Sequence, residues 1–332
     1  MIRLCPPLSL SEKGKRENNE DFIYPPASDG ATAANSRFFL VCDGVGGAEK
    51  GEDASRIVCE SFAKSLSRTE VICTDDIEMA LMNAEYDLEA YLEAHPEVTG
   101  MATTLTLAAF NPSEVIVAHV GDSRIYHFRQ EQMLLKTADH SLVNEMVINN
   151  IITEEQAMNH PKRHVVSRAI MGRQRPARLD ITHISDVRAG DYFLLCTDGI
   201  LESFSDTALT AVLNEKNYSN EDKMMHVASV CRENSKDNFS AYLVQIAAEA
   251  AENGAGFKEE KPAAVKAENV NGIIPRWVAY TFIIAAIALV ISAFMIFRKK
   301  QLPAKKDTKP ATQPGVGHNG RNIHTLDEII LS

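Results

Sequence analysis

Phe38-Phe39-Leu40-Val41-Cys42-Asp43-Gly44 and Tyr192-Phe193-Leu194-Leu195-Cys196-Thr197-Asp198-Gly199 are apolar runs that each end in an Asp-Gly pair, and Asp237-Asn238 opens a third such run. A short continuous apolar run bounded by turn residues reads as a buried strand. A buried strand that delivers a carboxylate at its end is a good component for a metal site. Asp-Gly alone is first a turn signal, and Asp29-Gly30, in a stretch of small residues, is expected to be an ordinary loop. Asp43, Asp198 and Asp237 lie far apart in the chain, so they form one site only if the strands pair with the same ends together.

The pattern around these runs supports that pairing. Apolar residues recur at helical spacing over 52–66 (Ile57, Val58, Phe62) and 76–95 (Ile77, Leu81, Ala84, Leu88, Tyr91), which predicts two amphipathic helices. Short strands are expected at 102–110, 115–120 and 124–129, joined by tight turns at Asn111-Pro112-Ser113 and Gly121-Asp122, hence antiparallel. Helices follow over 141–159, 206–214 and 220–234, with strands at 179–184, 191–197 and 240–246. Blocks of antiparallel strands with blocks of helices give an α+β fold, two packed antiparallel β-sheets flanked by α-helices.

Composition bounds the rest. With 332 residues, 45% apolar and 24% charged, the chain can bury a full core. A net charge of -11 opposes nonspecific nucleic-acid binding, which needs a basic face, so no nucleic-acid partner is expected. The six cysteines lack any zinc-type spacing and read as reduced, mostly buried small hydrophobes. The domain expected at 1–250 is followed by a Glu-, Lys-, Ala- and Gly-rich linker at 251–276.

Residues 277–297 are uncharged and apolar on every face, long enough to cover about 30 Å, and predict one C-terminal transmembrane helix. The tail at 298–332 is basic and expected to be disordered, with Arg298, Lys299 and Lys300 next to the span. That charge alone would put the tail inside. The N-terminus, however, has Pro6 and Pro7 where an export signal needs an unbroken apolar helix. The second signal outweighs the first, and the expectation is a single-pass protein of the inner (cytoplasmic) membrane with its 1–250 domain in the cytoplasm.

Several carboxylates at one end of a sandwich cannot all stay ionised without a counter-charge. Hard oxygen ligands without His or Cys suit Mg²⁺ or Mn²⁺ rather than zinc. Two such ions about 3.5 to 4 Å apart would lower the pKa of a shared water enough to give a hydroxide nucleophile at neutral pH.

Further motifs, in order, make the chain resemble the metal-dependent type 2C protein serine/threonine phosphatases, most closely their bacterial membrane-anchored members. Arg16-Glu-Asn-Asn-Glu20-Asp21 is similar to the opening element of that family. Val41-Cys-Asp43-Gly44-Val-Gly46-Gly47, with Gly51-Glu52-x-Ala54-Ser55, is similar to its first metal motif. Thr103-Thr104-Leu105, Val120-Gly121-Asp122-Ser123-Arg124-Ile125-Tyr126, Asp139-His140-Ser141, Leu195-Cys-Thr-Asp198-Gly199 and Asp237-Asn238 resemble the remaining elements across residues 10–247.

The resemblance implies hydrolysis of phosphoserine and phosphothreonine in proteins by a two-metal-activated hydroxide, using two or three Mn²⁺ or Mg²⁺ ions. It implies that Asp43 bridges two metals, Gly44 offers its carbonyl, Asp198 and Asp237 complete one ion, Asp21 holds metal-bound water with Glu20 beside it, and Asp122 serves a third ion. Arg16 would clamp the substrate phosphate, as a planar guanidinium does well. Phosphorylated proteins are the implied partners, with a serine/threonine kinase opposed at the same membrane.

Read without the resemblance, Arg16 is a surface arginine, and Asp122 with Arg124 forms only a turn and an exposed ion pair. His140 reads as a hydrogen-bonded structural residue, and Pro161 breaks the i, i+4 pair of His160 and His164. Many family members place a histidine after the first Asp-Gly as proton donor to the leaving group; Val45 stands there in this chain and leaves that task to water. Residues 141–172 correspond to the flap beside the active site. The alternative function is a pseudophosphatase that binds phosphoproteins, which loss of a metal aspartate would favour; none is lost.

Overall fold

The computed structural model describes residues 1–45, 50–98, 100–158 and 160–248. In chain order the first half carries β1 (Leu8–Glu12), β2 (Asp21–Tyr24), α1 (Gly30–Asn35), β3 (Phe38–Val45), α2 (Gly51–Leu66), α3 (Thr74–Ala94), β4 (Ala102–Thr103), β5 (Leu105–Phe110), β6 (Val115–Val120) and β7 (Arg124–Arg129). The second half carries β8 (Gln132–Lys136), α4 (Leu142–Ile148), α5 (Glu154–Met158), β9 (Asp180–Ile184), β10 (Tyr192–Cys196), α6 (Asp198–Leu201), α7 (Asp206–Asn214), α8 (Asn220–Asn234) and β11 (Phe239–Gln245).

One sheet has the order β1-β11-β10-β7-β8 and the other β2-β3-β5-β6-β9, with β4 added against β3. All of these ladders are antiparallel. This is the expected pair of antiparallel sheets with flanking helices.

The period-two alternation of strand side chains sorts the core. In β3, Phe38, Leu40 and Cys42 face α2 and α3, while Phe39 and Val41 face the opposite sheet. In β10, Leu194 and Cys196 pack under α7 and α8, and Phe193 and Leu195 meet the first set between the sheets. Phe39 seals that middle layer, with its ring centroid 4.9 Å from Tyr242 and 5.8 Å from Phe110. The same parity decides where the acidic residues go. Asp43 follows Phe39 and Val41 onto the inter-sheet face, Asp21 follows Ile23, and Thr197 follows Phe193 and Leu195.

Four expectations change. Asp29-Gly30 is a helix start, because Asp29 caps α1 by accepting from the Thr32 amide at 3.0 Å. The strand at 102–110 breaks at Thr104, whose hydroxyl accepts the Asp43 amide while its own amide bonds the Asp43 carbonyl. The helix at 141–159 is two short ones, α4 and α5: Asn150 takes a positive φ of 56°, and Thr153 and Gln156 cap the second. The Gly121-Asp122 turn is not a hairpin. It carries the chain from β6 in one sheet to β7 in the other.

Among the described residues no helix is long and apolar enough to cross a membrane. The linker, span and tail expected at 251–276, 277–297 and 298–332 lie outside the described residues.

Candidate metal centre

The acidic residues meet where the two sheets end side by side. Asp21 and Asp43 stand opposite each other in the β2/β3 ladder. Asp198 follows β10 as the first residue of α6, and Asp237 precedes β11. Asp122 arrives from the turn that crosses between the sheets. The structure thus brings Glu20, Asp21, Asp43, Asp122, Asp198 and Asp237 near enough to influence one another's ionisation, although no three of their carboxylates lie within 4.8 Å of one another.

Glycines at two of the motifs permit the approach. A Cβ on Gly44 would lie 2.2 Å from the Gly51 carbonyl oxygen and 2.8 Å from that of Glu20, so only hydrogen fits between β3 and the start of α2. A Cβ on Gly199 would lie 1.9 Å from the Asn238 carbonyl oxygen, which holds the Asp198 and Asp237 segments together.

Backbone and hydroxyl groups fix the carboxylates. The Asp43 carbonyl accepts from the Thr104 amide at 2.8 Å and the Thr103 hydroxyl at 2.9 Å. Asp21 accepts from the Thr197 hydroxyl at 3.0 Å. Asn238 holds the loop before β2: its Oδ1 accepts the Glu20 amide at 2.9 Å, and its Nδ2 donates to the carbonyls of Lys13 and Asn18, both at 2.8 Å. In the sequence Asn238 stands out only as the partner of Asp237, and its position after the Asp is the signal that marks it.

The electrostatics are one-sided. Burial pushes Asp21 up to about 7 against the pull of hydrogen bonds from Ser240 and Thr197. Asp43 and Asp198 lie well above the usual carboxylate range, through burial and then through the other carboxylates. Asp122 rises to about 6 through burial and Asp139, and Glu20 rises through burial.

The one ion pair to the cluster among the described residues is Arg16 Nη2 to Asp237 Oδ2, at 2.7 Å. Arg124 does not pair with Asp122. It grips Asp139 with two bonds of 2.6 and 2.7 Å, a part-buried fork rather than an exposed pair.

A buried group of carboxylates raised by mutual repulsion, all oxygen donors with almost no cation, fits divalent Mg²⁺ or Mn²⁺. The only three His, Cys, Asp or Glu ligand atoms within 4.8 Å of one another among the described residues belong to His119, His140 and Asp180. That group does not suit a metal. His140 Nδ1 accepts the Gly121 amide at 3.1 Å, so the neutral ring keeps its proton on Nε2, whereas a ligating ring donates through its second nitrogen. His160 and His164 fall after α5 and join no such group.

Beside the acidic cluster opens a cavity of about 800 Å³, lined by Asp122 and Asp198 below, Val143, Asn144, Val147, Arg163 and His164 of the 141–172 segment above, and Lys236.

This architecture has known counterparts. The family description Protein phosphatase 2C matches residues 14–259. The chain belongs to the protein phosphatase 2C family. It is 28% identical over 216 residues to the serine/threonine phosphatase stp of Listeria monocytogenes, covering 64% of this chain and 85% of that protein. The crystal structure of the Mycobacterium tuberculosis phosphatase PstP/Ppp superposes with a TM-score of 0.65 at 27% identity, over 75% of this chain and all (100%) of that one. The catalytic domain of PstP, solved in complex with 2 manganese ions, gives a TM-score of 0.63 at 26% identity, over 75% and 100% of the two chains. This phosphatase 2C is a protein serine/threonine phosphatase by membership and by its relatives.

Proposed function

We propose that the enzyme hydrolyses phosphoserine and phosphothreonine in proteins with two Mn²⁺ or Mg²⁺ ions held by Glu20, Asp21, Asp43, the Gly44 carbonyl, Asp198 and Asp237, and a third served by Asp122. The observation that carries this reading is that carboxylates from both sheets, Asp21 and Asp43 from one and Asp198 and Asp237 from the other, lie buried and near enough to raise one another's pKa values. When bound, such ions neutralise the cluster and supply a water of lowered pKa.

The chain's own residues do the rest. Arg16 spends Nη2 on Asp237, and its remaining N–H groups are disposed for the oxygens of a substrate phosphate. The Asn238 clamp keeps the Arg16–Asp21 loop against β11. Val45 has no proton to give, so the leaving alkoxide takes one from water. The cavity beside Asp122 and Asp198 accommodates the peptide around the phosphorylated residue, with Arg163 and Lys236 at its border.

The expected 277–297 span would tether this activity to the inner membrane with the catalytic domain in the cytoplasm, opposing a serine/threonine kinase there. The test is Mn²⁺-dependent release of phosphate from a phosphothreonine peptide by the parent, Asp43→Asn and Asp237→Asn. Turnover is expected to fall at least about 100-fold in both variants, the loss typical of a missing electrostatic group. Retained turnover in both would refute the two-ion arrangement, and an inactive parent would favour a phosphoprotein-binding role.

A further inference from the structure

Asp122 owes its place to the Gly121-Asp122 turn, and the turn is held by His140. The His140 amide donates to the Gly121 carbonyl at 2.9 Å, and the Gly121 amide donates back to His140 Nδ1 at 3.1 Å. On its other side Gly121, at a φ of 107°, packs on Thr104: a Cβ there would lie 2.4 Å from Thr104 Cγ2. The turn therefore sits between a threonine that locks β5 to Asp43 and a histidine that opens the flap segment.

The far edge of the ring belongs to the flap. With Nδ1 accepting, Nε2 carries the proton and faces Asp180 Oδ2 at 3.1 Å, while Arg168 Nη2 bonds Asp180 Oδ1 at 3.0 Å. Arg168 Nη1 also lies 2.9 Å from Nε2, so the guanidinium touches the ring edge as well as binding Asp180. The His140 carbonyl accepts the Ser167 amide at 2.8 Å, which closes the base of the flap. Every polar atom of His140 is thereby spent on joining the flap base to the turn. His119 stacks on the ring with centroids 4.6 Å apart.

We propose that His140 is a positioning residue for Asp122, transmitting the geometry of the Arg168–Asp180 flap base to the turn that carries this carboxylate. The consequence for metal binding rests on the reading of Asp122 as a ligand of the third ion.

Two substitutions separate the halves of the ring. In His140→Asn, Oδ1 takes the place of Nδ1 and still accepts the Gly121 amide. In His140→Gln, the amide reaches toward Asp180 and leaves the Gly121 N–H without an acceptor. Hydrogen exchange of the Gly121 amide is expected to accelerate about tenfold in His140→Gln and to stay near the parent in His140→Asn. Calorimetric titration of the chelator-treated full chain with Mn²⁺ is expected to weaken only the weakest site, by about tenfold, in His140→Gln.

Equal Gly121 exchange in the parent and His140→Gln overturns the proposal. So does unchanged Mn²⁺ binding in His140→Gln when Asp122→Asn abolishes the weakest site. If Asp122→Asn itself leaves Mn²⁺ binding untouched, the third-ion reading falls, and Gly121 exchange alone decides for or against His140. Asp180→Asn, at the exposed side of the ring, covers the case in which the His140 variants do not fold: faster Gly121 exchange supports the link to the flap base, and an unchanged rate overturns it.

Discussion

Asp21 is buried beside the hydroxyls of Thr197 and Ser240, and its carboxyl in the metal-free chain binds its proton far more tightly than in the unfolded chain. The sign of the resulting pH dependence is fixed by linkage. A raised carboxyl contributes stability that is full below its ordinary value of 3.8 and is lost as pH rises through about 7. His127 and His140 are held below the ordinary histidine range by burial and contribute with the opposite sign over part of this range; a difference measurement cancels them and reports Asp21 together with the carboxylates it raises, Asp43 and Asp198. In chelator, Asp21→Asn is expected to gain on the parent as pH rises from 5 to 8, by at most about 1.4 kcal/mol per pH unit. Thermal melts of the two proteins across that range check it, and saturating Mn²⁺ should shrink the gain by stabilising the parent more than a variant that lacks one ligand. Asp43, Asp198 and Asp237 were legible from their strand-end positions, whereas Glu20, Asp21 and Asp122 were assigned only through the family resemblance. Their shared face was not, because it depends on which sheet each strand joins.

Two Asp-Gly pairs that look alike in sequence lead to opposite expectations at the scale of the element. Gly30 opens α1 with nothing within 4 Å of an added Cβ, so Gly30→Ala should leave stability unchanged or raise it by up to about 1 kcal/mol. Gly44 lies where β3 passes the first turn of α2, and Gly44→Ala should cost about 2 kcal/mol or more and reduce turnover, since the backbone of Gly51 cannot yield as a side chain would. Thermal unfolding of both variants distinguishes the cases, with midpoint shifts of about 2–4 °C per kcal/mol for a domain of this size.

The helical stretches were readable from their period of 3.6, and α2, α3, α7 and α8 lie close to where that period puts them. The short strands β1, β2 and β8 were not read. β1 and β2 are five and four residues long, and β8 is an exposed edge whose residues show no buried face.

Across the whole molecule, β1 pairs with β11, bringing Leu8 opposite Leu243. No local pattern announces a partner that distant, yet this pairing sets the N-terminal loop, and Arg16 with it, beside Asp237. Residues Met1–Gly254 form one compact unit. A chain cut after 254 is expected to keep the turnover of the full chain while leaving the membrane fraction; cell fractionation with assays of both pools tests this, and equal partitioning of the two would sink the proposed tether. The base of the flap has a different use. Leu142 and Val165 are bonded across it at 2.9 Å, and Ser167 to His140 at 2.8 Å, so the segment between leaves and returns at nearly the same spot. It is therefore an exchangeable cassette: residues 143–164 can be replaced by the counterpart from a relative without rethreading either sheet, and peptide preference should travel with the graft.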